Sequence, residues 1–155
     1  MIYYLVGDAT RPEVVGKKII THIVNDAGAW GAGFVVALSR RWPEAERAYR
    51  AWYSGFDWTY FGLGEVQFVE VENEITVANM VAQNGVRGGG RLVDYYALQD
   101  CLYTVSQRAK EHAASIHMPR IGCGLGGGKW EEVERLIKIE LAGLSVYVYD
   151  LEVPT

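Results

Sequence analysis

The sequence predicts an α/β fold of three layers, with helices on both faces of a mixed sheet of about six strands. Three observations predict it. Short apolar runs alternate with stretches of helical periodicity. The apolar runs are apolar at consecutive positions, as strands covered on both faces must be. The glycines gather where those runs end, which is where ligands bind in such sheets. The chain has 155 residues, enough for one domain over 1–155 with a core of its own. Half of the residues are hydrophobic and 22% are charged, so burial can offset the entropy lost on ordering.

The elements follow in order. Ile2 to Val6 is an apolar run closed by Gly7, and Lys18 to Val24 is a second, rich in isoleucine and valine; both read as buried strands. Gly33 to Arg41 reads as a helix. Pro43 opens another, in which Ala45, Ala48, Tyr49 and Trp52 share one face. Val66 to Val71 and Ile75 to Val81 flank the polar turn Glu72-Asn73-Glu74 and carry the β-branched residues of a hairpin. Asp94 can cap a long helix whose Leu98, Cys101, Leu102, Val105 and Ala109 form an apolar seam. Ile116 to Ile121 is then a strand, Trp130 to Leu141 a helix and Ser145 to Tyr149 the last strand. Between the hairpin and the long helix, Asn84 to Arg91 contains Gly85, Gly88, Gly89 and Gly90 and reads as a mobile loop.

Composition narrows the class further. Glycine supplies 18 of the 155 residues against 4 prolines, with no repeating period, so collagen and proline-rich disorder are excluded. Fifteen basic and 19 acidic side chains leave a net charge of -4, a poor match for duplex DNA. No apolar stretch approaches the roughly 20 residues of a membrane span, and the N-terminus lacks a basic leader, so a cytoplasmic location is expected. Cys101 and Cys123 stand in unlike contexts and make no disulfide framework. His22, His112 and His117 have no ligand spacing, and neither a metal nor a cofactor is expected.

Most glycines fall in three clusters: Gly28, Gly31 and Gly33; Gly88 to Gly90; and Gly122, Gly124 and Gly126 to Gly128. The third joins a strand to a helix, where amides unobstructed by a Cβ can converge on an anion at the helix N-terminus. A plain glycine-rich turn is the alternative for a lone G-x-G. The Lys-Ser/Thr of a nucleotide triphosphatase loop is missing, and the glycines come too late in the chain for a dinucleotide fingerprint.

Taken together, Gly7-Asp8-Ala9-Thr10, the run from His22 to Gly33 and the run Met118-Pro119-Arg120-Ile121-Gly122-Cys123-Gly124-Leu125 through Gly128 resemble the macrodomain family. The resemblance spans nearly the whole chain, including Val146-Tyr147-Val148-Tyr149-Asp150. It is nearest the branch of the terminal ADP-ribose protein glycohydrolase, whose Pro-Arg-Ile-Gly-Cys-Gly-Leu loop also leads to a helix beginning near a tryptophan, here Trp130. It implies a macrodomain fold and an ADP-ribose site.

Residue by residue, the resemblance puts Asp8 and Ala9 at the adenine, where the Asp8 carboxylate would accept the exocyclic amine. A turn aspartate is the plainer reading. Tyr149 and Asp150 would border the base, with Tyr149 either stacking on it or filling the core. Gly122, Cys123, Gly124, Leu125 and Gly126 would wrap the diphosphate, faced by Gly31, Ala32, Gly33 and Phe34 at the start of a helix. Asn25 and Asp26 would hold the distal ribose, and Trp30, an indole among glycines and so poorly placed for core packing, would wall off the sugar. Cys123 reads as packing, not as a nucleophile. Arg120 and Lys129 flank the loop as added positive charge or as solvated side chains.

For catalysis, the resembled glycohydrolase uses a lysine and an aspartate. The strand expected to carry the lysine reads Ala78-Asn79-Met80-Val81-Ala82-Gln83, and Gly126 follows Leu125 where the aspartate would stand. A Schiff-base route therefore lacks its nucleophile. The expectation is an ADP-ribosyl hydrolase that removes mono-ADP-ribose from acidic side chains of modified proteins. Its catalytic set is Asn25, Asp26 and Gln83, acting on a positioned water with help from the substrate diphosphate. The alternatives are a reader that binds ADP-ribose without turnover and an ADP-ribose 1''-phosphate phosphatase (Appr-1-p processing). The expected partners are ADP-ribose and mono-ADP-ribosylated proteins.

Overall fold

A computed structural model describes residues 1–87 and 90–151. Six strands form one sheet: β1 (Ile2–Val6), β2 (Lys18–Asn25), β3 (Val66–Glu72), β4 (Ile75–Gln83), β5 (Ser115–Met118) and β6 (Val146–Asp150), in the order β1-β6-β5-β2-β4-β3. Among the described strands only β3 and β4 pair antiparallel, and Gln83 makes one further antiparallel bridge to Val93. The helices are α1 (Phe34–Arg41), α2 (Pro43–Ser54), α3 (Tyr95–His112) and α4 (Trp130–Glu140).

Strand alternation sorts the side chains into two cores. On one face Ile19, Ala78, Met80, Ile116, Met118, Val146 and Val148 pack against the seam of α3 (Leu98, Cys101, Leu102, Val105, Ala109) and against Val133, Leu136 and Ile137 of α4. On the other, Ile20, Val24, Ile75, Val77 and Val81 meet Val35 and Leu38 of α1 and Ala45, Tyr49 and Trp52 of α2. Neighbouring residues of β2 and β4 thus enter opposite cores, which is why both strands are apolar nearly throughout. The expected mixed three-layer sandwich is the observed architecture.

Some boundaries differ from the sequence reading. β1 is an exposed edge strand, not a buried one. Tyr3, Tyr4 and Leu5 are about two-fifths exposed and Val6 more, because β1 pairs only with β6. β5 ends at Met118, one residue before Pro119, which has no N–H for a ladder. α1 begins at Phe34, with Gly33 as its N-cap at φ 81°. Asp94 caps α3 as expected, its carboxylate accepting from the Ala97 amide at 3.0 Å. Of the expected mobile loop, Gly88 and Gly89 lie outside the described residues. No helix among the described residues is long and apolar enough to cross a membrane.

The parallel strands all point the same way, so the β2–α1 and β5–α4 connections leave the sheet side by side. A cleft opens between them.

Candidate functional site

Two adjoining cavities, about 260 Å³ and 390 Å³, form the cleft. Ile23, Ala32, Val35, Gln83 and Leu125 line both. The smaller is walled by Gly33 and Phe34 on one side and by residues 119–122 and 124–126 on the other. The larger extends to Asn25, Ala29, Trp30, Gly31, Val86, Gly90 and Leu92. The Leu125 side chain arches toward Gly33, 3.9 Å from where a Cβ on that glycine would stand.

The 119–129 segment is a compact loop that bonds to itself. The Gly128 amide donates to the Gly122 carbonyl at 2.7 Å and the Gly127 amide to Gly124 at 3.1 Å. A Cβ on Gly128 would lie 2.7 Å from the Gly122 oxygen and 2.8 Å from Val93, so only glycine permits this closure. Among the described residues, the amides of Gly122, Gly124, Leu125 and Gly126 donate to no protein acceptor. The first turn of α1, which has no side-chain cap, faces them across the smaller cavity. Two sets of backbone donors therefore converge on one space, the chemistry that suits a diphosphate.

Gln83 ends β4 at the junction of the cavities, its amide nitrogen donating to the Gly85 carbonyl at 2.9 Å. Asn25 ends β2, and its side chain is engaged within its own loop. Its Oδ1 accepts from the amides of Ala27 and Ala29 and from the Tyr49 hydroxyl, each at 3.0 Å, while Nδ2 donates to the Ala29 carbonyl. Asn25 thus shapes the rim of the larger cavity. Asp26 lines neither cavity; its carboxylate accepts from the Gly85 amide at 2.8 Å and ties the β2–α1 loop to the segment after β4.

Trp30 corrects a premise of the sequence reading. It is 7% exposed, packs in the core against His22 and Tyr49, and donates from Nε1 to Ser39 at 2.7 Å. The short turn after Asn25 folds the indole back under α1, so glycine neighbours do not keep it from the core. It lines the larger cavity at the same time.

Outside the two cavities, Gly7 bonds to the Asp150 carbonyl at 2.7 Å and brings Asp8 and Ala9 beside the end of β6; Asp8, Ala9, Tyr149 and Asp150 line neither cavity. Asp8 forms a turn, accepting from the amide and hydroxyl of Thr10; Ala9 is buried. Both Asp150 oxygens receive the Arg120 guanidinium, at 2.8 and 3.0 Å, which holds the carboxyl below its ordinary value. Arg120 lies over the rings of Tyr4 and Trp130, 5.2 Å from each centroid. Its charge is thereby compensated at the margin of the smaller cavity. Tyr149 is 8% exposed, and its hydroxyl bonds to Nδ1 of His117 at 2.7 Å. Lys129 is exposed and precedes α4 as its N-cap.

Cys123 is half-buried with Sγ on the Ile121 carbonyl, and burial pushes its thiol up. That favours the packing role over a thiolate. His22, by contrast, lines the smaller cavity and was not read from the sequence as part of the site. The available signal was a polar residue inside an apolar strand, matched by a second, Asn79, in β4. Among the described residues, no carboxylate or lysine lines either cavity.

Comparison with known proteins gives the site its lineage. Residues 62–137 match the model of the Macro domain. A protein of unknown function from Bacteroides thetaiotaomicron is 51% identical, with 97% of this chain and 98% of that one covered and a TM-score of 0.93. A macrodomain protein from Streptomyces coelicolor is also 51% identical, with 97% and 99% covered and a TM-score of 0.88. Among curated proteins, mouse chromodomain-helicase-DNA-binding protein 1-like is 32% identical over 96% of this chain, which spans only 17% of that protein's length. ADP-ribose 1''-phosphate phosphatase of Candida albicans is 25% identical, with 96% of this chain and 99% of the phosphatase covered. DNA ADP-ribosyl glycohydrolase of Mycobacterium tuberculosis is 26% identical, with 87% and 37% covered. With the Streptomyces protein matched at that identity along nearly its full length, and with the fold and paired glycine loops in place, this chain belongs to the macrodomain family.

Proposed function

We propose that the cleft binds ADP-ribose and that the protein hydrolyses mono-ADP-ribose from acidic side chains of modified proteins. The observation that carries this reading is the pair of glycine-rich loops whose amides face each other across cavities that meet at Gln83. The diphosphate sits between the loop 122–126 and residues 31–34. The adenine lies toward Asp8, Ala9, Tyr149 and Asp150, and the distal ribose lies in the larger cavity beside Asn25 and Trp30. Curated relatives named for a phosphatase and a glycohydrolase acting on ADP-ribosyl compounds support a hydrolytic role.

Among the described residues the lining offers Arg120, paired with Asp150, neutral polar groups and neither lysine nor carboxylate, which supports a mechanism of positioning. Gln83 holds a water against the anomeric carbon. The water oxygen forms the new bond there as the bond to the glutamyl oxygen breaks. That oxygen departs with the electron pair as a carboxylate, while a diphosphate oxygen takes the proton of the water. Asn25 and Asp26 serve by fixing the loop that carries the ribose.

A time course with protein ADP-ribosylated on glutamate tests this, with serine-linked protein, ADP-ribosylated DNA and ADP-ribose 1''-phosphate as parallel substrates. Release of ADP-ribose from the glutamate ester is expected, falling about 100-fold for Gln83→Ala. A second reading, a reader without turnover, draws on Gly126 standing where the resembled glycohydrolase has its aspartate and on the absence of a lysine from the strand Ala78 to Gln83. ADP-ribose binding with every substrate recovered intact would establish the reader. Release from DNA alone, or of phosphate alone, would reassign the substrate.

A further inference from the structure

A third cavity, about 500 Å³, opens between the first turns of α3 and the middle of α4. Asn84, Arg91, Tyr95, Tyr96, Gln99 and Arg135 line it. It adjoins the larger cavity of the cleft: Val86 and Gly90 belong to that cavity, Asn84 and Arg91 to the third, and Leu92 to both. The chain is fixed where the two meet. The Asn84 amide donates to the Leu92 carbonyl at 2.9 Å, and Gln83 pairs with Val93 in an antiparallel bridge.

The lining is cationic in a chain whose net charge is -4. It holds two guanidinium groups and one carboxylate, that of Asp94, which is engaged in capping α3. Arg91 is exposed, lies over the Tyr95 ring at 4.3 Å and forms no ion pair among the described residues. The ring beneath it is anchored, because the Tyr95 hydroxyl accepts from the Lys129 amide at 2.9 Å. A guanidinium held over an aromatic ring keeps its N–H fork for a planar anion, and a carboxylate fits that fork with two parallel hydrogen bonds. Arg135, exposed on α4, reaches Glu132 through Nη2 alone at 3.1 Å and has further donors. Acidic groups stand beside these cations, Glu132 on Arg135 and Glu140 on Gln99. Such alternation disfavours a run of phosphates and suits one or two separate carboxylates.

We propose that the third cavity seats the acidic side chains flanking the modified residue of a substrate protein, with a carboxylate on Arg91 and Arg135 as the second cation. The inference rests on the reading of the cleft as the site of a protein-linked ADP-ribose whose distal ribose lies in the larger cavity. A polypeptide leaving that end of the cleft meets the third cavity at Leu92. The protein then selects by the sequence around the modified residue as well as by the ADP-ribose itself.

Calorimetry on the full chain tests this with free ADP-ribose and with two peptides that carry ADP-ribose on the side-chain amide of a central glutamine, a link without the ester's leaving carboxylate. One peptide has aspartates on both sides of that residue, and the other has asparagines. The aspartate peptide is expected to bind about tenfold more tightly, as charge-assisted hydrogen bonds do, with the advantage shrinking as salt is raised. Arg91→Gln should remove most of that advantage. Arg91→Lys, which keeps the charge without the planar fork, should keep part of it, and Arg135→Gln should lose less than Arg91→Gln. Free ADP-ribose should bind each variant within about twofold of wild type, which also shows that each is folded. Equal binding of the two peptides by the wild type overturns this inference and leaves the ADP-ribose site standing. An advantage that survives Arg91→Gln and Arg135→Gln combined overturns it in the same way. Tighter binding of a single-stranded ADP-ribosylated oligonucleotide than of the aspartate peptide, lost in Arg91→Gln, reassigns the cavity to phosphate and overturns it too. Failure of the wild type to bind ADP-ribose at all overturns both readings.

Discussion

Gly31 lines the larger cavity and Gly128 closes the loop that walls the smaller one, and a side chain at each would meet different surroundings. Nothing lies within 4 Å of a Cβ on Gly31, and its φ is ordinary; on Gly128 a Cβ would strike the Gly122 carbonyl and Val93. The first glycine gives access, and the second lets the loop close. Gly128→Ala is therefore expected to weaken ADP-ribose binding by at least about tenfold, the cost of overpacking by one methyl group, whereas Gly31→Ala should bind within about threefold of wild type. Calorimetry on both variants, with melting curves to show that each is folded, checks the contrast; equal effects would contradict it. Gly126 is similar to Gly128. A Cβ there would lie 3.0 Å from the Gly122 oxygen and 3.4 Å from Oε1 of Gln83. A side chain at this position needs these neighbours to give by a few tenths of an ångström.

At the scale of the element, much of the fold was legible because local signals and packing agree. The α3 seam, the Asp94 cap and the polar turn of the hairpin each have a physical cause within a few residues. The exposure of β1 had none. An apolar run reads alike whether a second strand covers its far edge or water does, and only the strand order separates the two. The candidate site divides in the same way. Its glycines mark strand ends and are local, whereas the partner of His22 is 57 residues away in Asn79 and is joined to it only by the parallel pairing of β2 with β4. Both ends of α3 allow tests. Asp94→Ala removes the acceptor of the Ala97 amide and should cost about 1 kcal/mol. At the other end Ala113 holds φ 51° as the C-cap, a left-handed position that glycine occupies without the penalty of a Cβ. Ala113→Gly should stabilise the protein by up to about 1 kcal/mol. Urea denaturation midpoints should move in opposite directions for the two variants.

Across the whole molecule, the two buried histidines link the stability of the fold to pH. His22 lies in one core beneath α1. His117 lies in β5, wholly buried, stacked 4.9 Å from Tyr147 and bonded to the hydroxyls of Ser115 and Tyr149. Desolvation pushes both pKa values down to about 4, with the charge of Lys18 adding to the effect on His117. In the unfolded chain each returns to about 6.5. Between these values the unfolded state binds more protons than the folded one, so stability rises with pH. The contribution is complete above pH 6.5 and is lost as pH falls through 6.5 toward 4, up to about 3 kcal/mol for each ring. The carboxylates held low, Asp150 by Arg120, Asp57 by Thr59 and Glu46 by Arg50, keep their share above the ordinary carboxylate range and begin to lose it as pH falls into that range, where the unfolded carboxylates take up protons. The interval from pH 6.5 to about 4.5 therefore belongs to the histidines. Urea denaturation at pH 7, 6 and 5 should show a falling midpoint at nearly constant slope, with His117→Gln removing about half of the pH dependence. A midpoint that stays level across this interval would show that the two rings are not buried as neutral groups.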